Sequence, residues 1–400
     1  MGHSVSVDKV EPKKFELPSN LKMIFLGLVG LGLLGFVAGF AVDQKRVWHA
    51  YLTSYFYFTS LALGGLFFTA IQHAVRAGWS VNIRRLSESL TAFMPVVFIG
   101  GLLLFASGTN LYMWLDPETV ANDSIIKGKS AYLNFGFWAV RLILFAGLWM
   151  YFTNKIVGYS VAQDQDGSES WTHKLVPVSI GFVMVFALSY SLFSVDLLMS
   201  LEPHWFSTIF GVYCFAGLFQ STLAVLVLMA LYCQSKGYVN GLMTMDHVHD
   251  LAKFMKGFTV FWAYIAFSQF MLIWYANLPE ETIYYLHRSH GGWMEISMSL
   301  LVFKFIVPFV ALLPRWAKRT PRHLVMVCLL ILVMQYVDLF WMIYPNFNHD
   351  SVSFSWMEIM VFLGFLGGFL FLVTTWLSKH NLVPIKDPRI HESLSHHVTY

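Results

Sequence analysis

Ten stretches of this sequence are each long and apolar enough to cross a bilayer, and a chain carrying ten of them has few folds open to it. A hydrocarbon core of about 30 Å needs about 20 apolar residues in a helix. The stretches are Leu21–Val42, Val47–Val75, Glu88–Met113, Ala131–Lys155, His173–Leu201, Ser207–Tyr232, Asp250–Leu278, Trp293–Leu313, Pro321–Tyr344 and Phe354–Ser378. Backbone amides cannot stay unpaired in lipid, so only helices or closed barrels span it, and these lengths select helices. The expectation is an all-α, polytopic integral membrane protein with no soluble domain. Only 12% of the residues are charged, about half the usual share of a soluble domain, near 25%. A net charge of +3 gives no reason to expect a nucleic-acid partner. The polar first 20 residues show no cleavable signal pattern, which leaves the first span as the insertion signal. Val161–Ser170 reads as the most flexible loop.

Cytoplasmic loops are enriched in Lys and Arg. With the N-terminus inside, nineteen of these residues fall on the inner side. Five fall outside: Lys45, Arg46, Lys127, Lys129 and Arg288. The bias places both termini in the cytoplasm, with residues 1–20 and 379–400 as tails, and supports an even number of spans.

The second to fifth spans, laid over the sixth to ninth, disclose a repeat. Gly65-Leu66-Phe67 answers to Gly217-Leu218-Phe219, and Leu115-Asp116-Pro117-Glu118 to Asn277-Leu278-Pro279-Glu280. Glu88 maps onto Asp250, Arg141 onto Lys304, and Val195-Asp196-Leu197 onto Val337-Asp338-Leu339. Both units start and end outside, so they are parallel repeats. The predicted architecture is two four-helix bundles, residues 47–201 and 207–344, flanked by a first helix (21–42) and a tenth (354–378). Gly35/Gly39 and Gly364/Gly368 give each flanking helix a Gly-x-x-x-Gly face for close packing.

Charge inside the spans is the main functional signal. Arg141, Asp196, Glu295, Lys304, Asp338 and Glu358 each cost up to about 3 kcal/mol at a helix centre, so each must find a partner or water. Two cations are read at the midplane and four carboxylates in the outer half. Such a column suits a proton half-channel opening outward. The competing reading is two structural ion pairs, Arg141 with Asp196 and Lys304 with Asp338. Toward the inner half, Glu88, His73 and Asp250 are the evident proton carriers. Ser189, Ser191, Ser194, Gln220, Gln269 and Gln335 could extend a wire or simply join helices.

The histidines and cysteines point away from a cofactor held by this chain. A haem between helices needs two axial ligands at matched depth. Within the spans only His49 and His73 qualify, at opposite ends of one helix. Cys214, Cys233 and Cys328 form no Cys-x-x-Cys pair, and no cluster suits iron–sulfur or zinc. The aromatics Tyr51, Tyr55, Phe56, Tyr57 and Phe58 admit a quinone contact, against the plainer reading of a lipid-facing aromatic band.

Three long segments carry a resemblance. They are His49-Ala50-Tyr51 through Leu66-Phe67-Phe68, Phe193-Ser194-Val195-Asp196 through Phe210-Gly211, and Phe258 through Asn277-Leu278-Pro279-Glu280-Glu281-Thr282. They resemble the F subunits of bacterial alternative complex III, within the wider NrfD/PsrC-like membrane family, and the likeness runs through essentially all spans. It implies a place in a respiratory quinol:electron-acceptor oxidoreductase that passes electrons to a cytochrome c or similar carrier. The implied partners are a second NrfD-like membrane protein, a multihaem cytochrome c, an iron–sulfur subunit, small membrane subunits and, in some systems, a terminal oxidase. Haem c and iron–sulfur clusters would sit in those partners. The resemblance also implies two four-helix bundles with a helix at each side. The leading expectation is a non-redox subunit giving a proton route or coupling element; a scaffold subunit and a secondary transporter are the rivals.

Overall fold

The computed structural model describes residues 14–398, so part of the polar N-terminal tail, including Lys9, Glu11 and Lys13, lies outside the described residues. Among these residues ten helices are long and apolar enough to cross a membrane: α1 (Ser19–Val42), α2 (Gln44–Ala74), α3 (Val81–Asn110), α4 (Phe135–Asp166), α5 (Glu169–Leu201), α6 (Phe210–Ser235), α7 (Met245–Ala276), α8 (Trp293–Ala311), α9 (Pro321–Asn346) and α10 (Trp356–Lys379). No strand occurs among them. The chain is an all-α multi-pass membrane protein.

Helices α2, α3, α4 and α5 pack in a closed ring, and α6, α7, α8 and α9 form a second. The rings share a seam in which α2 lies against α6 and α9, and α5 against α6. Helices α2 and α6 are the most completely buried of the ten. At their crossing a Cβ on Gly64 would strike the Thr222 hydroxyl, so only glycine permits the approach. Helix α1 lies along α10, and both rest on α2. Their closest point is Gly32 against Gly364, where backbones touch and neither position has room for a side chain. The expected glycine faces are therefore shifted. Gly35 packs on Met360 and Gly39 on Val47 of α2, while Gly368 has only ordinary contacts.

Several boundaries differ from those expected of the sequence. Helix α4 runs through Asp166, so the supposed flexible loop is mostly helical. Its polar residues are engaged: Gln163 donates to Thr172 Oγ1 at 2.8 Å, Asp164 pairs with Arg85 at 2.7 Å, and Gly167 ends the helix at φ 69°. Glu88 and Asp250 do not open their helices, which start at Val81 and Met245. Pro177 is tolerated inside α5. Pro308 is not neutral: it lacks the N–H that would bond the Lys304 carbonyl, and residues Leu300–Ile306 just before it form a π-helical segment. Such wide turns accumulate at functional sites.

The described ends of the chain lie on one face, termed the near face. Phe15 packs on Tyr238 there, with ring centroids 5.5 Å apart. Residues past α10, expected to form a solvated tail, instead cross that face as a strap. Lys386 donates to the Gln165 carbonyl at 2.5 Å, Asp387 pairs with Arg84, Ser393 donates to the Trp79 carbonyl at 2.8 Å, and His396 meets Asp250 at 2.5 Å. The strap thereby ties α3 and α4 to α7.

The α1–α10 contact makes a direct prediction. Gly32→Leu must force backbones apart, at a cost of about 1–3 kcal/mol or more. Gly368→Leu should cost much less. Thermal unfolding of the two variants in one detergent should rank them in that order.

Candidate functional site

Both ion pairs anticipated from the repeat are made, but they are not alike. In the first ring Arg141 grips Asp196 with two parallel bonds, Nε to Oδ2 at 2.8 Å and Nη2 to Oδ1 at 3.0 Å. Its remaining nitrogen donates to the Tyr132 carbonyl at 3.1 Å, and the guanidinium lies 3.8 Å from the Tyr132 ring centroid. All three guanidinium nitrogens are thus engaged. Nor does Arg141 stand at midspan as expected: α4 starts at Phe135, which puts Arg141 about 9 Å from the helix end at 1.5 Å per residue. A guanidinium does not deprotonate in proteins, so this pair is a fixed clamp near the far face.

The second pair is deeper and chemically softer. Lys304 stands about 16 Å into α8 at the same rise, fully buried in the π-helical turn. Its ammonium pairs with Asp338, donates to Gln335 Oε1 at 2.7 Å and lies 4.6 Å from the Trp262 ring centroid. Asp338 also accepts from the Tyr213 hydroxyl and from Trp262 Nε1 at 3.2 Å. Four helices thus meet at one carboxylate: α6 gives Tyr213, α7 gives Trp262, α8 gives Lys304, and α9 carries Asp338 itself. An ammonium beside a carboxylate can hand over its proton and leave a neutral amine and acid, which the arginine pair cannot do.

Tyr213 and Trp262 are also part of the wall of a chamber of about 690 Å³ between α7, α8 and the short helix Pro279–His287. Most of the lining is apolar or aromatic, including Phe270, Tyr285, Met298 and Leu301; its polar points are Gln269, Asn277, Thr282, Arg288, Ser289 and Ser297. That is the composition of a site for a largely hydrophobic molecule held by a few hydrogen bonds. The second ion pair lies directly behind this wall.

The remaining predicted residues are dispersed. Glu358 is buried at the start of α10, where Arg46 holds it at 2.7 Å, Tyr344 donates to it at 2.9 Å and it caps the Ser355 amide at 2.8 Å. It is a capping carboxylate with all its bonds made. Glu295 is exposed on α8 and takes no part in the buried set. The outer carboxylates therefore do not form one column: the described hydrogen bonds do not join Asp196, Asp338, Glu295 and Glu358. On the near-face side Glu88 pairs with Arg85 and accepts from Ser160 at 2.7 Å. His73 lies 2.9 Å from Arg84, and Asp250 is shared by Lys253 and His396. His49 sits 2.8 Å from the Lys45 carbonyl. Of the polar candidates, Ser189 receives Trp149 Nε1 at 2.9 Å, Gln220 bonds Thr259 at 2.9 Å, and Ser191 and Ser194 bond carbonyls of their own helix. The first two join helices, and the serines bond within one. Tyr51 and Tyr55 donate to carbonyls of α3, and Phe56 and Phe58 are buried. The aromatics of α2 are core, not a lipid-facing band.

A further buried ion pair also has no counterpart among the sequence expectations. Arg288, which counts in the sequence only as an outward loop charge, is 2% exposed. It donates to Glu202 at 2.9 Å and to the Trp341 and Met342 carbonyls, and its guanidinium lies 3.5 Å from the Tyr284 ring centroid. Burial alone would push the Glu202 carboxyl up, but the Arg288 charge and hydrogen bond, with His287 Nδ1 3.7 Å away, hold it below the ordinary carboxylate range. The only advance signal is the Glu202-Pro203 step after α5. Among the described residues no group of three or more His, Cys, Asp or Glu could hold a metal ion. No family model matches the chain, and no curated protein matches it.

These pairs make two predictions. Asp196→Asn leaves Arg141 buried and uncompensated and should cost about 3–5 kcal/mol, whereas the double change Arg141→Met with Asp196→Leu should recover much of it in the same unfolding assay. The Glu202 pair has a pH signature. Its folded-state pKa is depressed, so its stabilisation is present above the ordinary value of about 4.3 and is lost as pH falls through the lower folded value. The stability gap between the parent chain and Glu202→Gln should therefore shrink on acidification over that range.

Proposed function

We propose that this chain is a cofactor-free membrane subunit of a respiratory quinol-oxidising complex of the alternative complex III kind. It sits in the bacterial cytoplasmic membrane with both termini cytoplasmic, and its second helix ring supplies a proton-exchanging or coupling element. The three long segments that resemble F subunits support the assignment to such a complex, and the Lys and Arg distribution supports the orientation. Electrons would travel through haem and iron–sulfur partners. Any quinone contact made by this subunit would fall in the chamber, whose aromatic wall separates it from Lys304 and Asp338.

The observation that carries the proton role is the Lys304–Asp338 pair. It is buried, has its lysine in a widened helical turn, accepts from a tyrosine hydroxyl and donates to a glutamine carbonyl, and borders a cavity toward the far face. Proton transfer from Lys304 Nζ to Asp338 turns two buried charges into two neutral groups and so lowers their desolvation cost. The acid formed can then give its proton to the Tyr213 oxygen as Tyr213, which helps wall the chamber, releases its own hydroxyl proton outward, and the neutral Lys304 must regain a proton from the near-face side before the cycle repeats. The role narrows from four carboxylates to one, because Asp196 and Glu358 are locked by arginines and Glu295 is exposed.

Two rivals draw on particular features. The immobile Arg141–Asp196 clamp favours a scaffold role for the first ring. The irregular centre of α8, next to a chamber, is the kind of discontinuity found at transporter substrate sites.

The test uses the complex purified with its partners and reconstituted into liposomes. Asp338→Asn and Lys304→Gln should cut proton release toward the yield of quinol oxidation alone, with electron transfer changed less than about twofold, well under 1 kcal/mol in barrier. Asp196→Asn should lower stability without changing the proton count. An unchanged count in Asp338→Asn would remove the proton role.

A further inference from the structure

One side chain, Trp262 of α7, belongs both to the chamber wall and to the ion pair behind it. It is 4% exposed. Its N–H donates to Asp338 Oδ2 at 3.2 Å, and its ring centroid lies 4.6 Å from the Lys304 ammonium, within reach of a cation–π contact. Of the other neighbours, the Tyr213 hydroxyl bonds the aspartate and Gln335 Oε1 bonds the lysine. The indole answers both charges at once. An N–H donor favours a carboxylate over a carboxylic acid, and a π face favours an ammonium over an amine. Both contacts therefore weigh toward the charged form of the pair, and losing them together favours the form in which the Lys304 proton has moved to Asp338.

The indole also has room to leave. Within a turn of it, α7 lines the chamber with only the methyl groups of Ala263 and Ala266. The chamber, at about 690 Å³, can take a ring, so a change of rotamer would swing the indole off the pair and break both contacts in one motion. The first ring is built otherwise. In the register that lays Glu88 on Asp250, Trp262 falls on Gly100, where a Cβ would press on Tyr51 and Tyr55 at 3.0 Å. The aromatic over Arg141 is instead Tyr132, from the loop before α4. The indole thus accompanies the lysine pair alone.

We propose that Trp262 is a positioning residue that couples the chamber to the ion pair. A hydrophobic occupant of the chamber holds the indole against Lys304 and Asp338 and keeps the pair charged; its departure lets the ring turn away, and the Lys304 proton passes to Asp338. This rests on the proton-exchanging role proposed above and adds its control. The step moves one proton from Nζ to a carboxylate oxygen, leaving an amine and a carboxylic acid with no change in net charge. A ring that merely filled the bundle core would not tie the state of Asp338 to the size of the side chain at position 266.

Infrared spectroscopy of the purified full chain in lipid nanodiscs, isotope-labelled at the aspartate side-chain carboxyl, tests this. The readout is the carbonyl band of protonated Asp338, identified by its loss in Asp338→Asn. Trp262→Leu should raise that band about tenfold or more, the scale of a lost cation–π contact plus a hydrogen bond to a charged group. Trp262→Phe, which keeps a ring over the ammonium but has no N–H, should fall between, and gives the same reading from a milder change. A side chain at position 266 leans back over the turn that carries Trp262. Ala266→Phe should therefore pin the indole and lower the band of the parent chain, yet leave that of Trp262→Leu as it was. Equal bands in the parent, Trp262→Phe and Trp262→Leu would overturn the proposal, as would an effect of Ala266→Phe that persists without the indole. If the band follows Trp262 while Asp338→Asn leaves the proton count of the reconstituted complex unchanged, the coupling stands and the proton role falls.

Discussion

A charged side chain buried among apolar helices must be answered by another group of the protein, because lipid offers nothing to solvate it. That constraint shapes this molecule more than any single packing contact. Arg141, Arg288 and Lys304 are each buried against a carboxylate, and Arg46 holds the buried Glu358. In each case the two partners come from different helices or loops, so each ion pair also fixes how elements distant in sequence sit together. Satisfying charge and assembling the bundle are one problem solved with the same residues.

Within that frame the two rings have diverged in kind. A bidentate arginine gives geometry: two parallel bonds, fixed protonation and little freedom. A lysine gives a movable point charge that can neutralise. Placing the lysine in a π-helical turn, with Gln335 and Asp338 both in reach, adds a choice of partners that the first ring lacks. Both rings pair a cation with an aspartate; the arginine of one and the lysine of the other, with the chamber beside the lysine, make only the second suited to proton exchange.

Much of this is legible in the sequence, for identifiable reasons. Span lengths follow from bilayer thickness, so hydropathy and length alone place all ten helices. The pairings of Arg141 with Asp196 and Lys304 with Asp338 can be read because the repeat puts each cation and aspartate at matching positions on neighbouring helices. Arg288 with Glu202 cannot, since it links two loops that share no spacing rule. The depth of Arg141 is misjudged from sequence because α4 begins later and runs further than its apolar run, its polar end being held by Arg85 and the strap. Glu295 and Glu358 look identical in sequence, each in the first turn of its helix. Only the presence of Arg46 and Tyr344 beside one of them makes it a buried cap.

The contact of α1 with α10 has a bearing on biogenesis. Gly32 on the earliest helix has as its counterpart Gly364 on the latest, with every other span threaded between them in the chain. During synthesis α1 must wait in lipid, its glycine face unmatched, until α10 has been inserted. Closure of that seam has to follow the insertion of α10 and has a long loop to close. A membrane chaperone that shields such a face would have to hold α1 until α10 arrives.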